Sequence, residues 1–256
     1  MGRLNDKVVV ITGGTGGIGK VTAELFLNEG ASVVVVDLDQ SAIDKTVSEL
    51  AVHGPVTGVK ADVSKEDEVA AYVKAAVDTY GRIDVFFNNA GIEGKVAPIP
   101  EQAIEDFDKV FGVNVRGVFL GLKHVLPVMY QQKSGSVINM SSVAGLTGSA
   151  GVAPYVGSKH AVVGITKSAA LEAGPNNVRV NSVHPSPVNT RMMRSLEEGF
   201  NPGHGTEAKA ALEQGIPLGR YAESIDIANC VLFLASDDSS FVSGSMYRID
   251  GGMCAD

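Results

Sequence analysis

At 256 residues, 45% hydrophobic and 20% charged, the chain is long enough for one well-buried domain and too short for two comfortable ones. Twenty-one Lys and Arg against 29 Asp and Glu leave a net charge of −8, which lacks the basic footprint that nucleic-acid binding demands. No apolar run reaches a membrane span, residues 1–7 have no signal-peptide layout, and Cys230 and Cys254 match neither a disulfide framework nor a metal motif. A cytoplasmic protein with no nucleic-acid or membrane partner is therefore expected.

In chain order, residues 8–11 read as a first strand, followed by a glycine-rich turn and a helix over 18–29. A strand over 33–36, a helix over 41–52 opened by Ser41, a strand over 56–59 and a helix over 65–80 opened by Ser64 come next. Then come a strand over 83–87, one long helix over 101–132, a strand over 137–140, a helix over 153–173 and a strand over 178–183. A Pro- and Gly-rich stretch, 186–215, has the look of a lid, and 246–249 closes the list as a seventh strand. The strands are almost uniformly apolar, which suits a sheet covered on both faces. The fold class predicted is α/β: a single Rossmann-like doubly wound domain over 1–256, with a seven-stranded, mostly parallel sheet and helices on both faces.

The turn reads Thr12-Gly13-Gly14-Thr15-Gly16-Gly17-Ile18-Gly19 and opens the first helix. Glycines there permit a tight turn and let amides approach a pyrophosphate at the helix's positive end. Asp37 ends the second strand, 18 residues past Gly19, where a carboxylate accepts hydrogen bonds from the adenosine ribose hydroxyls. The same carboxylate repels a 2′-phosphate, and Leu38 follows where a basic residue would have welcomed one. This pattern predicts NAD rather than NADP.

Tyr155-Val156-Gly157-Ser158-Lys159 sets a phenol and an ammonium one helical turn apart. Ser142 lies thirteen residues earlier, just past a strand end, and such ends line the ligand crevice of these sheets.

Together these residues resemble the short-chain dehydrogenase/reductase family, in its unextended form of roughly 250 residues. The likeness spans Thr12-Gly13-x-x-x-Gly17-x-Gly19, Asp62-Val63, Asn88-Asn89-Ala90-Gly91, Asn114, Ser142, Tyr155-x-x-x-Lys159 and Asp250-Gly251-Gly252. It implies Tyr155 as general acid/base, its phenolate stabilised by Lys159 and the nicotinamide charge, with Lys159 also holding the nicotinamide ribose. It implies Ser142, rather than neighbouring Ser141, as hydrogen-bond donor to the substrate oxygen, and Asn114 as the residue that steadies a water and completes a proton relay. Asp62 and Val63 would approach the adenine, while Asn88, Ala90 and Gly91 would pack around the adenosine ribose and pin the central strands, with Asn89 also binding the cofactor. Pro185, Ser186, Val188 and Thr190 would face the nicotinamide carboxamide. Ser186 stands where the family usually has glycine, which puts the geometry of that loop in question.

Ala144, Leu146 and Val152 offer an apolar substrate wall, and Met192 and Met193 would close over it from the lid, with Arg191 and Arg194 able to clamp a substrate if the lid turns inward. Residues 92–95 and 116–121 are similar to bacterial NAD-dependent ketone reductases acting on small cyclic ketones, of the levodione-reductase kind. The five histidines show no ligand spacing, and no metal is expected. Val113, Val118, Leu120, Val162, Val163, Ile165, Ala169 and Ala170 read as a dimer surface, and the resemblance implies a homotetramer. The function predicted is hydride transfer between NAD and a small apolar, cyclic secondary alcohol or ketone. Two alternatives are a 3-oxoacyl-carrier-protein reductase, which Asp37 and the acidic charge oppose, and a non-catalytic NAD-sensing regulator, which the retained Tyr155 and Lys159 oppose.

Overall fold

Valine, branched at Cβ, packs well on a pleated and crowded surface, and the valine-rich runs of this chain form a sheet in the computed structural model, which describes residues 2–255. The strands are β1 (Val8–Thr12), β2 (Ser32–Asp37), β3 (Val56–Lys60), β4 (Val85–Asn88), β5 (Gly135–Met140), β6 (Val178–Pro185) and β7 (Met246–Ile249). They lie in the order β3-β2-β1-β4-β5-β6-β7. Every pairing is parallel, as the doubly wound sheet expected requires.

Successive strand residues point to opposite faces. Val10, Val34, Phe86, Val137 and Val180 face one side, where α3 (Glu66–Tyr80), α5 (Gly117–Gln132) and α6 (Ala153–Ala173) cover them. Val9, Ile11, Val35, Phe87 and Ile138 face the other, under α1 (Gly17–Asn28), α2 (Gln40–Leu50) and α9 (Ser224–Ala235). The remaining helices are α4 (Ile104–Phe111), α7 (Arg191–Phe200) and α8 (Gly205–Gln214). Strand order reverses between β1 and β4, and the chain leaves their C-terminal ends in opposite directions. That divergence opens a crevice at the strand ends.

Several expectations are corrected. The helix expected over 101–132 breaks into α4, a π turn over Gly112–Arg116 and α5, with a short 3₁₀ turn before them. The cap of α2 is Asp39, whose Oδ1 accepts from the amides of Ser41 and Ala42 at 2.8 and 3.3 Å. Ser41 donates to that carboxylate instead of capping, and Ser64 likewise donates to Asp62 while α3 starts uncapped at Lys65. The lid stretch contains two ordered helices, α7 and α8, and α9 was not anticipated. Val118, Leu120, Val162, Ala169 and Ala170, expected on a dimer surface, are buried in the core of a single chain. No helix among the described residues is long and apolar enough to cross a membrane.

Candidate active site

The crevice has a volume of about 1020 Å³ and begins at the glycine turn. Gly13 takes φ +63°, a left-handed conformation natural to glycine. A side chain at Gly19 would bring its Cβ to 2.2 Å from the Gly13 carbonyl oxygen, so only glycine lets the turn close under α1. Gly16 is the N-cap of α1 and no side chain caps the helix. Its first amides are left for a ligand, and the helix dipole favours an anionic one. Asp37 reaches across from β2. Its Oδ2 accepts from the amide and hydroxyl of Thr15 at 3.0 and 2.6 Å, and its Oδ1 accepts from the Leu38 amide at 2.8 Å. The acid therefore ties the second strand to the glycine turn while lining the crevice beside Leu38.

The next residues build the walls. Asn89 donates to the carbonyls of Thr12 and Gly13 at 2.9 and 3.1 Å, and the buried Thr12 hydroxyl accepts from the amides of Asn89 and Ala90. Asn89, Ala90 and Gly91 line the crevice, as do Thr15, Gly16, Gly17, Ile18, Asp62 and Val63. Asn88 does not. It is buried and donates to the Val118 carbonyl and Asn139, pinning β4 to β5, so of its two expected roles it takes the pinning of the central strands and not the ribose contact. Asp62 faces the crevice and also accepts from Ser64, closing the loop before α3. Pro185, Ser186, Val188 and Thr190 complete the opposite wall. Ser186 is buried, its amide donates to the Ile249 carbonyl at 3.1 Å, and its φ is not positive. Serine fits there because this loop does not need a left-handed residue.

Between these walls three side chains converge. Tyr155 and Lys159 project from the first turns of α6, and Ser142 sits just past β5 at the start of a 3₁₀ turn. The Ser142 hydroxyl faces the Tyr155 phenol and accepts from the Ala144 amide at 3.2 Å. The Pro185 carbonyl is 3.5 Å from it, too far for a good O–H···O bond, so its hydrogen is left for the Tyr155 oxygen or a ligand oxygen. Lys159 is almost wholly buried and donates to the Met140 carbonyl at 2.9 Å.

Asn114 lies in the π turn, fully buried. Its Oδ1 accepts from the Ile92 amide at 2.8 Å, and its Nδ2 donates to the Ile92 carbonyl and to Ser158 at 2.9 and 3.0 Å. Ser158 in turn donates to the Tyr155 carbonyl at 2.7 Å. Both amide hydrogens are thus used, and Asn114 buttresses α6 from behind rather than lining the crevice.

Electrostatics in the protein alone run against an acidic phenol. Burial pushes the Tyr155 hydroxyl up to about 12; the Ser142 hydroxyl opposes this, and the Glu93 carboxylate adds to it. Burial also brings the Lys159 ammonium down to about 8. Desolvation penalises whichever form is charged. The phenol so placed needs further positive charge to ionise near neutrality.

The outer crevice is apolar. Ala144, Val152, Met192 and Met193 line it as expected, and Leu196, Phe200, Leu212 and Met253 join them. The last two come from α8 and the final turn, whose sequences carry no local sign of proximity. Leu146 does not line the crevice. Arg191 does, but Arg194 turns away, pairing with the buried Glu197 at 2.9 Å and lying over the Tyr221 ring. Among the described residues no three His, Cys, Asp or Glu side chains gather as a metal site.

A family model described as enoyl-(acyl carrier protein) reductase matches residues 13–254, which takes in every element of the crevice. The chain belongs to the short-chain dehydrogenase/reductase family. It is similar to levodione reductase of Leifsonia aquatica, 42% identical over 99% of this chain and 96% of that one. Cyclohexanol dehydrogenase of an Acinetobacter species is 39% identical over 97% and 95%. A 3-oxoacyl-[acyl-carrier-protein] reductase of Thermotoga maritima is 40% identical over 98% and 99%. Among solved structures, levodione reductase superposes with a TM-score of 0.96 at 41% identity, covering 98% and 99% of the two chains. NAD⁺-bound xylitol dehydrogenase does so with 0.93 at 32%, covering 97% and 99%. As a member of this short-chain family, the protein is an enzyme of the alcohol dehydrogenase and ketone reductase kind.

Proposed function

We propose that this enzyme uses NAD to interconvert a small apolar, cyclic secondary alcohol and its ketone, with Tyr155 as general acid/base. The observation that carries the reading is the meeting of Tyr155, Lys159 and Ser142 at the inner end of a crevice whose outer wall is apolar. The glycine cradle and the uncapped N-terminus of α1 fit a dinucleotide pyrophosphate. Gly13, Thr15, Gly16, Gly17, Ile18 and Gly19 would hold it. Asp37 and Leu38 would take the adenosine ribose, favouring NAD over NADP; Asp62 and Val63 would flank the adenine. Pro185, Ser186, Val188 and Thr190 would meet the nicotinamide.

Bound NAD would supply the hydride acceptor or donor. The chain does the rest. Ser142 donates its hydroxyl hydrogen to the substrate oxygen, Tyr155 takes the alcohol proton or returns it to the ketone, and Lys159 would hold the nicotinamide ribose. Moving the phenol from about 12 to near neutrality requires on the order of 5–7 kcal/mol. A unit positive charge a few ångströms away offers about 4 kcal/mol at an effective dielectric of ~20. Lys159 and the cofactor's ring charge would together supply a stabilisation of that order. With the Asn114 side chain spent on Ile92 and Ser158, its part in a proton relay falls to its main-chain carbonyl.

Met192, Met193, Leu196, Phe200 and Met253 present hydrocarbon and thioether to the substrate, which favours a ketone without charged groups. Assaying cyclic and open-chain secondary alcohols and ketones with NAD(H) and NADP(H) tests this. Turnover of apolar cyclic alcohols with NAD is expected, and a preference for NADP of about tenfold or more would refute the role given to Asp37. The second reading, a 3-oxoacyl-carrier-protein reductase, is favoured by the Thermotoga relative. Activity confined to thioesters on a carrier protein would establish it instead.

A homotetramer in the cytoplasm is part of the proposal. Phe107 and Phe111 stack with ring centres 4.3 Å apart, and Phe111, Val115, Phe119 and Ile165 border a surface groove of about 560 Å³. Phe119 is 55% exposed, an apolar investment that a second copy would cover.

A further inference from the structure

His184 is 0% exposed, on β6, behind the turn that carries Ser142. Its Nδ1 lies 2.9 Å from the Ser142 carbonyl oxygen, and its Nε2 lies 2.8 Å from the Ser182 hydroxyl. A carbonyl only accepts, so Nδ1 must carry a hydrogen. The neutral ring then leaves Nε2 as an acceptor, and Ser182 donates to it. The Ser142 carbonyl receives a second hydrogen bond from the Gly145 amide at 2.9 Å. Held from both sides, Ser142 adopts an extended backbone, φ −168° and ψ 165°, which aims its hydroxyl at Tyr155.

We propose that His184 is a positioning residue for the reaction: through its Nδ1–H it fixes the Ser142 main chain, and through that the direction of the Ser142 hydroxyl, while Ser182 donates to the ring's other nitrogen. The inference rests on the functional reading above in assigning Ser142 to the substrate oxygen. Burial lowers the pKa of the imidazole; the Ser142 carbonyl opposes this, and the charges of Lys159 and His160 add to it. A charged ring would leave Nε2 with a hydrogen where Ser182 now donates one. Leucine or valine would fill the same space, so a polar ring fully satisfied at both nitrogens and joined to a substrate-facing residue is more than filler.

Steady-state kinetics on His184→Ala, His184→Asn, Ser182→Ala and the double variant Ser182→Ala/His184→Ala test the proposal, alongside NADH binding by fluorescence. His184→Ala should lose about tenfold or more in kcat, with NADH affinity within about twofold of wild type. Asn, whose side-chain amide can donate to the same carbonyl, should restore kcat to within about threefold of wild type. Ser182→Ala should lose less than His184→Ala, and the double variant no more than His184→Ala alone, because Ser182 acts through the ring. Independently of turnover, ¹⁵N-edited NMR of the wild-type imidazoles should show His184 with its proton on Nδ1. An Nε2–H or doubly protonated ring at pH 7 would overturn the proposal whether or not the enzyme is active. So would a His184→Ala enzyme with undiminished kcat, or an Asn variant no better than Ala. Absence of turnover in the wild type on every alcohol and ketone offered would instead sink the functional reading, leaving the tautomer to decide the anchor.

Discussion

The ammonium of Lys159 lies 5.4 Å from the centre of the Tyr155 ring, and its bond to the Met140 carbonyl fixes it there at 2.9 Å. Burial makes each of these two groups resist its charged form, in opposite directions along the pH scale. In the protein alone the phenol is therefore held neutral and the ammonium is weakened, so the role proposed for Tyr155 calls for further positive charge in the crevice.

The cost of burying Lys159 is readable in stability. Its ordinary value of 10.5 falls to about 8 in the fold, so between those pH values the unfolded chain binds the extra proton. Stability contributed by this group therefore rises with pH across that window and is at its lowest below it. The full span is worth about 3 kcal/mol. Urea unfolding of wild type and Lys159→Met from pH 7.5 to about 10 should show the wild type gaining on the variant as pH rises. Parallel curves would contradict the account.

Glu93 raises the Tyr155 value through its charge. Glu93→Gln should move the limb over which alcohol oxidation rises with pH toward lower pH, read from kcat/KM profiles. An unmoved or upward-shifted limb would show that the carboxylate does not act on the phenol.

Asp37 spends three hydrogen bonds on the turn and on Leu38. Asp37→Ala should lower the ratio of kcat/KM with NAD to that with NADP by about tenfold or more, since the repulsion of a 2′-phosphate vanishes. A ratio unchanged by the substitution would move the origin of cofactor choice elsewhere.

At Gly19 the obstacle is main chain, with an added Cβ only 2.2 Å from the Gly13 oxygen. Gly19→Ala should therefore abolish NADH binding and lower the Tm. At Gly174 an added Cβ meets nothing within 4 Å, and Gly174→Ala should leave both unchanged. Equal behaviour of the two variants would mean that the turn is not a cradle.

Much of this was legible in the residues because it depends on local chemistry. Glycines at fixed offsets, a strand-end acid and a phenol one turn from an ammonium have few other uses together. The order of apolar runs likewise gives the strands, since burial on both faces erases alternation. What escaped depends on context. The stretch 101–132 has continuous helical pattern, yet it loosens into a π turn at Gly112–Arg116, where the Asn114 side chain bonds to Ile92 and Ser158. Helix α9 is almost uniformly apolar and shows no amphipathic period; its reciprocal capping box, Glu223 with Asp226, was the available sign. Val118, Leu120 and Val162 looked like interface because nothing in sequence says which apolar face of a helix meets the sheet. Met253 and Leu212 reach the apolar wall of the crevice through tertiary folding alone.

The central claim is that the Tyr155 hydroxyl moves the proton. Turnover and NADH affinity of Tyr155→Phe, measured side by side on an alcohol the wild type oxidises, test it most directly. Removal of a general acid/base should cost about 10²–10⁴ in kcat while NADH binds nearly as before. A variant that keeps most of its turnover, or one that fails only because it no longer binds NADH, would contradict the role given to the phenol.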